Sequence, residues 1–128
     1  MPLPEPDTTQ TERPAVGARV WLWLFVVAVV AQVLAVYWPR VTVEGPVTWT
    51  DKVAHLLIFA LPALTGMLAG MRPAVLLGAL ALHAPLSEAV QHWVLPDRSG
   101  DPGDALADLA GVVSRAVGAL VWRTRRRC

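Results

Sequence analysis

Charge is nearly absent from four stretches of the chain, and the polar residues collect at their ends. The first stretch runs from Val20 to Trp38, and its interior, Leu22 to Val36, holds a single amide, Gln32, and no ionisable group. Its 19 residues cover roughly 28 Å at the helical rise of 1.5 Å, close to the hydrocarbon thickness of a bilayer. Trp21, Trp23, Tyr37 and Trp38 stand at its two ends, where amphipathic rings settle at headgroup level. The second stretch, Asp51 to Gly70, is strongly polar only at Asp51, Lys52 and His55, with Thr50 placed to cap it. Met71-Arg72-Pro73 makes a short turn into the third stretch, Pro73 to Trp93, in which Pro85 predicts a kink. The fourth, Gly103 to Trp122, is more polar and contains Asp108 and Arg115. Asp101-Pro102-Gly103-Asp104 ahead of it has the form of a helix start, with Asp101 capping and Pro102 at the first helical position.

This pattern predicts an all-α chain with four transmembrane helices. A soluble four-helix bundle requires a polar stripe along every helix, and the stretches 22–36, 53–71 and 73–86 offer almost none. A cleavable signal peptide would also begin with arginines before an apolar run. The first run, however, is long, exits through aromatic rather than small residues, and is followed by equally apolar sequence. Residues 1–17 hold four of the eleven prolines and no periodicity, and read as a disordered polar tail. A membrane domain then covers 18–122 and a basic tail 123–128.

Composition agrees. Of 128 residues 55% are hydrophobic and 16% charged, below the quarter or so of charged residues that a soluble domain carries. The formal charge of +1 excludes nucleic acid as the main partner. The single cysteine, Cys128, allows neither an intramolecular disulfide nor a cysteine-based metal site. The cationic residues are distributed unevenly. With the N-terminus inside, Arg13, Arg19, Arg72, Arg123, Arg125, Arg126 and Arg127 face the cytoplasm, against Arg40, Lys52 and Arg98 outside. Both termini are therefore expected in the cytoplasm, with the Arg123–Arg127 run near anionic inner-leaflet lipid.

Polar groups inside spans are costly, so their placement carries the functional information. Asp51 and His55 lie four apart at the outer end of the second span, and Glu88 and Gln91 three apart at the outer end of the third. Asp101, Asp104 and Asp108 follow on one face as the fourth span begins, and Gly111, Arg115 and Gly118 continue that stripe, the glycines admitting another helix. The expected site is an outward-facing polar cavity lined by Asp51, His55, Glu88, Gln91, Arg98, Asp104 and Asp108, in which Arg98 is the counter-ion or meets a lipid phosphate. Asp51 and Asp101 are equally well read as caps, and Lys52, His92 and Trp93 as interface residues. His83, about 140° around its helix from Glu88 at 100° per residue, is expected to bond a neighbouring helix. No metal-ligand spacing is present along the chain, so no metal or other cofactor is expected, and no Gly-x-Ser-x-Gly or serine with a base at fixed spacing suggests a nucleophile.

In this order the polar residues resemble the VanZ-like family of small bacterial membrane proteins. Asp51, Lys52 and His55 match its Asp-Lys-x-x-His signature, with Phe59 in the usual aromatic place. Glu88, Gln91, Pro96 and Arg98 match Glu-x-x-Gln…Pro-x-Arg. Asp104 and Gly111 fit Asp-x-x-x-Asn-x-x-Gly, in which Asp108 replaces the usual Asn. The resemblance covers roughly residues 20–122 and implies a four-helix protein of the bacterial plasma membrane. The family is named for a protein that raises resistance to the glycopeptide teicoplanin, and it supplies no established catalytic residue. Three readings stay open: binding of membrane lipids or a lipid-linked cell-wall precursor, an enzyme acting on an envelope lipid with His55 or Glu88 as acid or base, and a purely structural cluster.

Overall fold

A computed structural model describes residues 16–38, 49–95 and 101–125; the expected tail over 1–15, the two polar loops with Arg98, and residues 126–128 lie outside the described residues. Four helices make up the described chain: α1 (Val16–Tyr37), α2 (Thr50–Leu68), α3 (Pro73–Val94) and α4 (Pro102–Arg125). No strand occurs among the described residues. Three of the helices, α1, α2 and α3, are long and apolar enough to cross a membrane. α4 is as long but carries Asp104, Asp108, Arg115 and Arg125, and does not share that composition.

Helix boundaries follow local chemistry. α1 begins at Val16, inside the segment read as tail, and α4 continues to Arg125, into the segment read as a basic tail. Thr50 does not cap α2; it is the first helical residue, after Trp49, and no side chain closes that end. The other end of α2 is closed by Gly70 at φ +83°, with Gly70 N–H donating to the Met67 carbonyl and Met71 N–H to the Gly66 carbonyl. This paired closure places one residue in the left-handed region, where glycine alone is unstrained. Asp101 caps α4 as expected: its Oδ1 accepts from Gly103 N–H at 2.7 Å, and Pro102 is the first helical residue. α3 runs unbroken through Pro85, and α2 through Pro62, a second internal proline. Near both, hydroxyls bond back to the helix, Ser87 Oγ to the Ala84 carbonyl and Thr65 Oγ1 to the Leu61 carbonyl, each at 2.8 Å.

α2 is the centre of the bundle and touches the other three helices; α4 also packs on α3, and the described parts of α1 and α4 do not meet. Gly66 of α2 lies against both Phe25 of α1 and Leu76 of α3, while Phe59 of α2 and Tyr37 of α1 both stack near His83 of α3. Lys52 meets Asp104 and His55 meets Asp108, so α2 and α4 run in the same direction. Alternating helices thus bring the end of α1, the start of α2, the end of α3 and the start of α4 to one end of the bundle.

The distribution of polarity is inverted relative to a water-soluble protein. Gln32, His55, Thr65, Ser87, Glu88, Gln91, Asp104 and Asp108 are all buried, beside an apolar core of Val36, Phe59, Ala63, Leu76, Leu80, Ala84 and Val112. Meanwhile Val27, Leu82 and Trp93 are 62%, 69% and 79% exposed, within a largely apolar outer surface. Such continuous apolar exposure is stable against lipid and unstable against water.

Candidate functional site

The polar end of the bundle is built on a close approach of α2 and α4. A side chain at Gly111 would overlap the Leu56 carbonyl of α2 and stand 3.2 Å from the Ala60 amide nitrogen. Glycine there lets the two backbones touch, as small residues do between membrane helices. His55 stands beside that contact on α2, and Asp108 lies one turn before Gly111 on α4. Gly118, expected to serve the same purpose, has nothing near the place its Cβ would take, and Arg115 is exposed. The stripe therefore packs only at its first glycine. Gly66 supplies a second tight contact that the sequence reading did not single out.

From this approach follows a connected set of polar contacts. Buried His55 donates from Nδ1 to Oδ1 of Asp108 at 3.0 Å, and Asp108 is fully buried. The other ring nitrogen, Nε2, lies 3.9 Å from Asp104 Oδ2. Asp104 Oδ1 accepts from Lys52 Nζ at 2.9 Å, and Lys52 also donates to Asp101 Oδ2 at 3.1 Å. Glu88 Oε2 accepts from the Asp101 backbone N–H at 2.9 Å, which ties the end of α3 to the start of α4. Lys52, read from the sequence as an interface residue, is thus an ion-pair partner inside the cluster, because α4 starts directly over the first turn of α2. Only the charge of Asp101 and Asp104 hinted at that pairing.

Of the expected lining residues, His55, Glu88, Gln91, Asp104 and Asp108 are buried together and Asp51 is half-buried at the rim; Arg98 lies outside the described residues. His83 stands apart, sharing a 2.9 Å hydrogen bond with Tyr37 Oη of α1, as a helix-to-helix contact. His92 and Trp93 are exposed at the end of α3. At the same end Trp38 and Trp49 are also exposed, so three of the described tryptophans stand at the polar end of the bundle.

Electrostatically the described cluster is acidic. Asp51, Glu88, Asp101, Asp104 and Asp108 outnumber Lys52 and His55. Asp101, outside the helices, is held below the usual carboxylate range first by the Gly103 N–H and then by the Lys52 ammonium. Among the described residues four buried polar atoms have no hydrogen-bond partner: Glu88 Oε1, Gln91 Nε2 and Asp108 Oδ2 in the cluster, and Gln32 Nε2 on α1. Native interiors satisfy such atoms, so three of them in one place leave room for a partner from outside the described residues.

The arrangement can do three things chemically. The buried carboxylate of Asp108 orients the His55 ring and leaves Nε2 as the free acceptor or base. Unpartnered oxygens and an unpartnered amide N–H can meet a ligand bearing both donors and acceptors. Finally, two trios offer ligand atoms within 4.8 Å of one another, Asp51 with His55 and Asp104, and His55 with Glu88 and Asp108. Neither trio is visible as a spacing, because its members come from two or three helices. Compared with protein-family models, with curated proteins and with solved structures, the chain matches none.

Proposed function

We propose that this chain is a VanZ-like, four-span protein of the bacterial plasma membrane, both termini cytoplasmic, whose outward-facing polar end binds a lipid-linked, cell-wall-related ligand and so affects glycopeptide susceptibility. The observation that carries a ligand-binding reading is the burial, at one end of the bundle, of Glu88 Oε1, Gln91 Nε2 and Asp108 Oδ2 without partners among the described residues. A purely structural cluster is expected to satisfy such atoms within the helices that form it. Exposed Trp38, Trp49 and Trp93 at the same end of the bundle support a position at the membrane-water boundary, where a lipid headgroup lies. The arginine count in the flanking segments supports its facing outward. In this reading Glu88, Gln91 and Asp108 bond the ligand's polar groups, and Arg98 meets its anionic group.

A second reading, an enzyme acting on an envelope lipid, is favoured by one contact: the Nδ1 bond to Asp108 leaves His55 Nε2 as a positioned base. One experiment separates the readings. Wild type, Glu88→Gln and Arg98→Lys chains are purified in detergent after insertion is verified, and co-purifying envelope lipids are identified by mass spectrometry. Ligand binding predicts a lipid-linked species on wild type that both variants lose, with the membrane lipid profile unchanged by expression. A membrane lipid profile changed by wild type and not by His55→Ala supports the enzyme, and equal co-purifying lipid on all three chains together with an unchanged membrane profile removes both.

A further inference from the structure

Two carboxylates and an imidazole meet in the floor of the cluster, and their arrangement is more demanding than a polar contact between helices. His55, Glu88 and Asp108 come from α2, α3 and α4, all three are buried, and one ligand atom from each lies within 4.8 Å of the others. Each carboxylate has one oxygen held by the protein, Glu88 Oε2 by the Asp101 amide and Asp108 Oδ1 by His55. In each the second oxygen is buried and has no partner among the described residues. Two carboxyl groups beside one imidazole, once ionised, carry an excess of negative charge that the described side chains around them do not balance. The one described ammonium nearby, that of Lys52, is taken by Asp101 and Asp104. A buried negative centre of this kind is stable with a cation in it.

We infer that His55, Glu88 and Asp108 form a binding site for a divalent first-row transition-metal cation. The donor set fixes the class of ion: imidazole suits zinc, iron and their neighbours, carboxylates suit manganese and harder ions, and one nitrogen with two oxygens lies between. Zn²⁺ and Mn²⁺ are the cations to test. Three protein ligands leave at least one coordination position for an oxygen from outside. The neighbouring trio, Asp51, His55 and Asp104, is the weaker candidate, since Lys52 already occupies Asp104 and would repel a cation, and none of the fully buried unpartnered atoms of the described residues belongs to it.

This inference deepens the ligand-binding reading and rests on it in one respect, that the open coordination position meets the polar group of the envelope ligand. The test uses the full-length chain in detergent, stripped with EDTA and then dialysed against Zn²⁺, Mn²⁺ or Co²⁺. Wild type should retain one equivalent of metal by elemental mass spectrometry. Bound Co²⁺ should show visible absorption bands that Zn²⁺ abolishes. Glu88→Gln and Asp108→Asn should each weaken binding by at least the roughly 10- to 100-fold that loss of even a supporting group brings, while Asp51→Asn retains it. Circular dichroism verifies that each variant is folded, and the Co²⁺ spectrum of wild type needs no variant. Wild type that retains no metal, or folded Glu88→Gln and Asp108→Asn that retain as much as wild type, overturns the inference. Lipid retained by the metal-free wild type with no metal rebinding sinks the metal site and leaves the ligand reading standing. Metal bound with no co-purifying lipid supports the site and sinks that reading.

Discussion

Gly111 of α4 rests directly on the Leu56 carbonyl of α2, and this backbone contact is what brings His55 and Asp108 within 3.0 Å across 53 positions of sequence. Gly111→Ala would force the helices apart at that point, because the obstacle is backbone rather than a flexible side chain. A loss of about 3 kcal/mol is expected, at the upper end of overpacking effects. Gly118→Ala, with open space around it, should be neutral or gain up to about 1 kcal/mol from helix propensity. Thermal unfolding of both variants in the same detergent checks the contrast, and equal effects would mean that α4 does not pack on α2 as described.

Asp108→Ala leaves His55 buried with no acceptor for its Nδ1–H. Breaking a buried pair on one side costs about 3–5 kcal/mol. Asp108→Asn keeps an oxygen in place and should lose only about 1 kcal/mol. The readout is the midpoint of unfolding in detergent; an Ala variant as stable as the Asn variant would remove the hydrogen bond as a source of stability.

Gly70→Ala should destabilise by about 1–2 kcal/mol, the usual cost of a left-handed conformation for a residue with a Cβ. The neighbouring turn is untouched, so the fold should persist. Circular dichroism melts check the size, and Gly70→Asn should recover part of the loss.

The capping carboxylate of Asp101 has a pKa lowered below the ordinary value of 3.8. A group depressed in the folded state contributes stability that is present above its unfolded value and lost as pH falls through the folded one. The start of α4 should therefore loosen only at pH values below the ordinary aspartate range. Asp101→Asn, which can still cap, should abolish that part of the pH dependence. Hydrogen exchange at Asp104 and Ala105, whose amides bond the Asp101 carbonyl, follows it; exchange that is equally pH-dependent in the variant would contradict the assignment.

The exposed faces of α1 and α3 should lie in hydrocarbon. In a Cys128→Ser background, spin labels at Val27 and Leu82 in liposomes should relax with oxygen and not with a water-soluble nickel chelate. A label at Trp49 should respond to the chelate. Chelate relaxation at Val27 would contradict membrane insertion of α1.

Element number and type were legible in the sequence because apolar runs of helical length, punctuated by Gly-Met-Arg-Pro and Asp-Pro-Gly, leave few alternatives. The end of α1 at Tyr37, the start of α4 at Pro102 and the capping by Asp101 follow from the residues at those places. Thr50 misled because a capping side chain has value only where the preceding turn presents it, and that turn starts the helix one residue early. Period also identified which polar residues share a face: Asp104 with Asp108, Glu88 with Gln91, and Asp51 with His55.

Which faces meet was a different kind of fact. Hydropathy says that a helix lies in lipid and nothing about its rotation, since an apolar helix has no wet side to orient it. Only the packing of Gly111 on Leu56 decided that α4 touches α2 at that level, that Gly118 is idle, and that Lys52 belongs to Asp101 and Asp104. The trio of His55, Glu88 and Asp108 has no spacing in the chain for the same reason. Its members stand on three helices, and the distances between them are set by how closely backbones approach, a quantity that is written in no single helix.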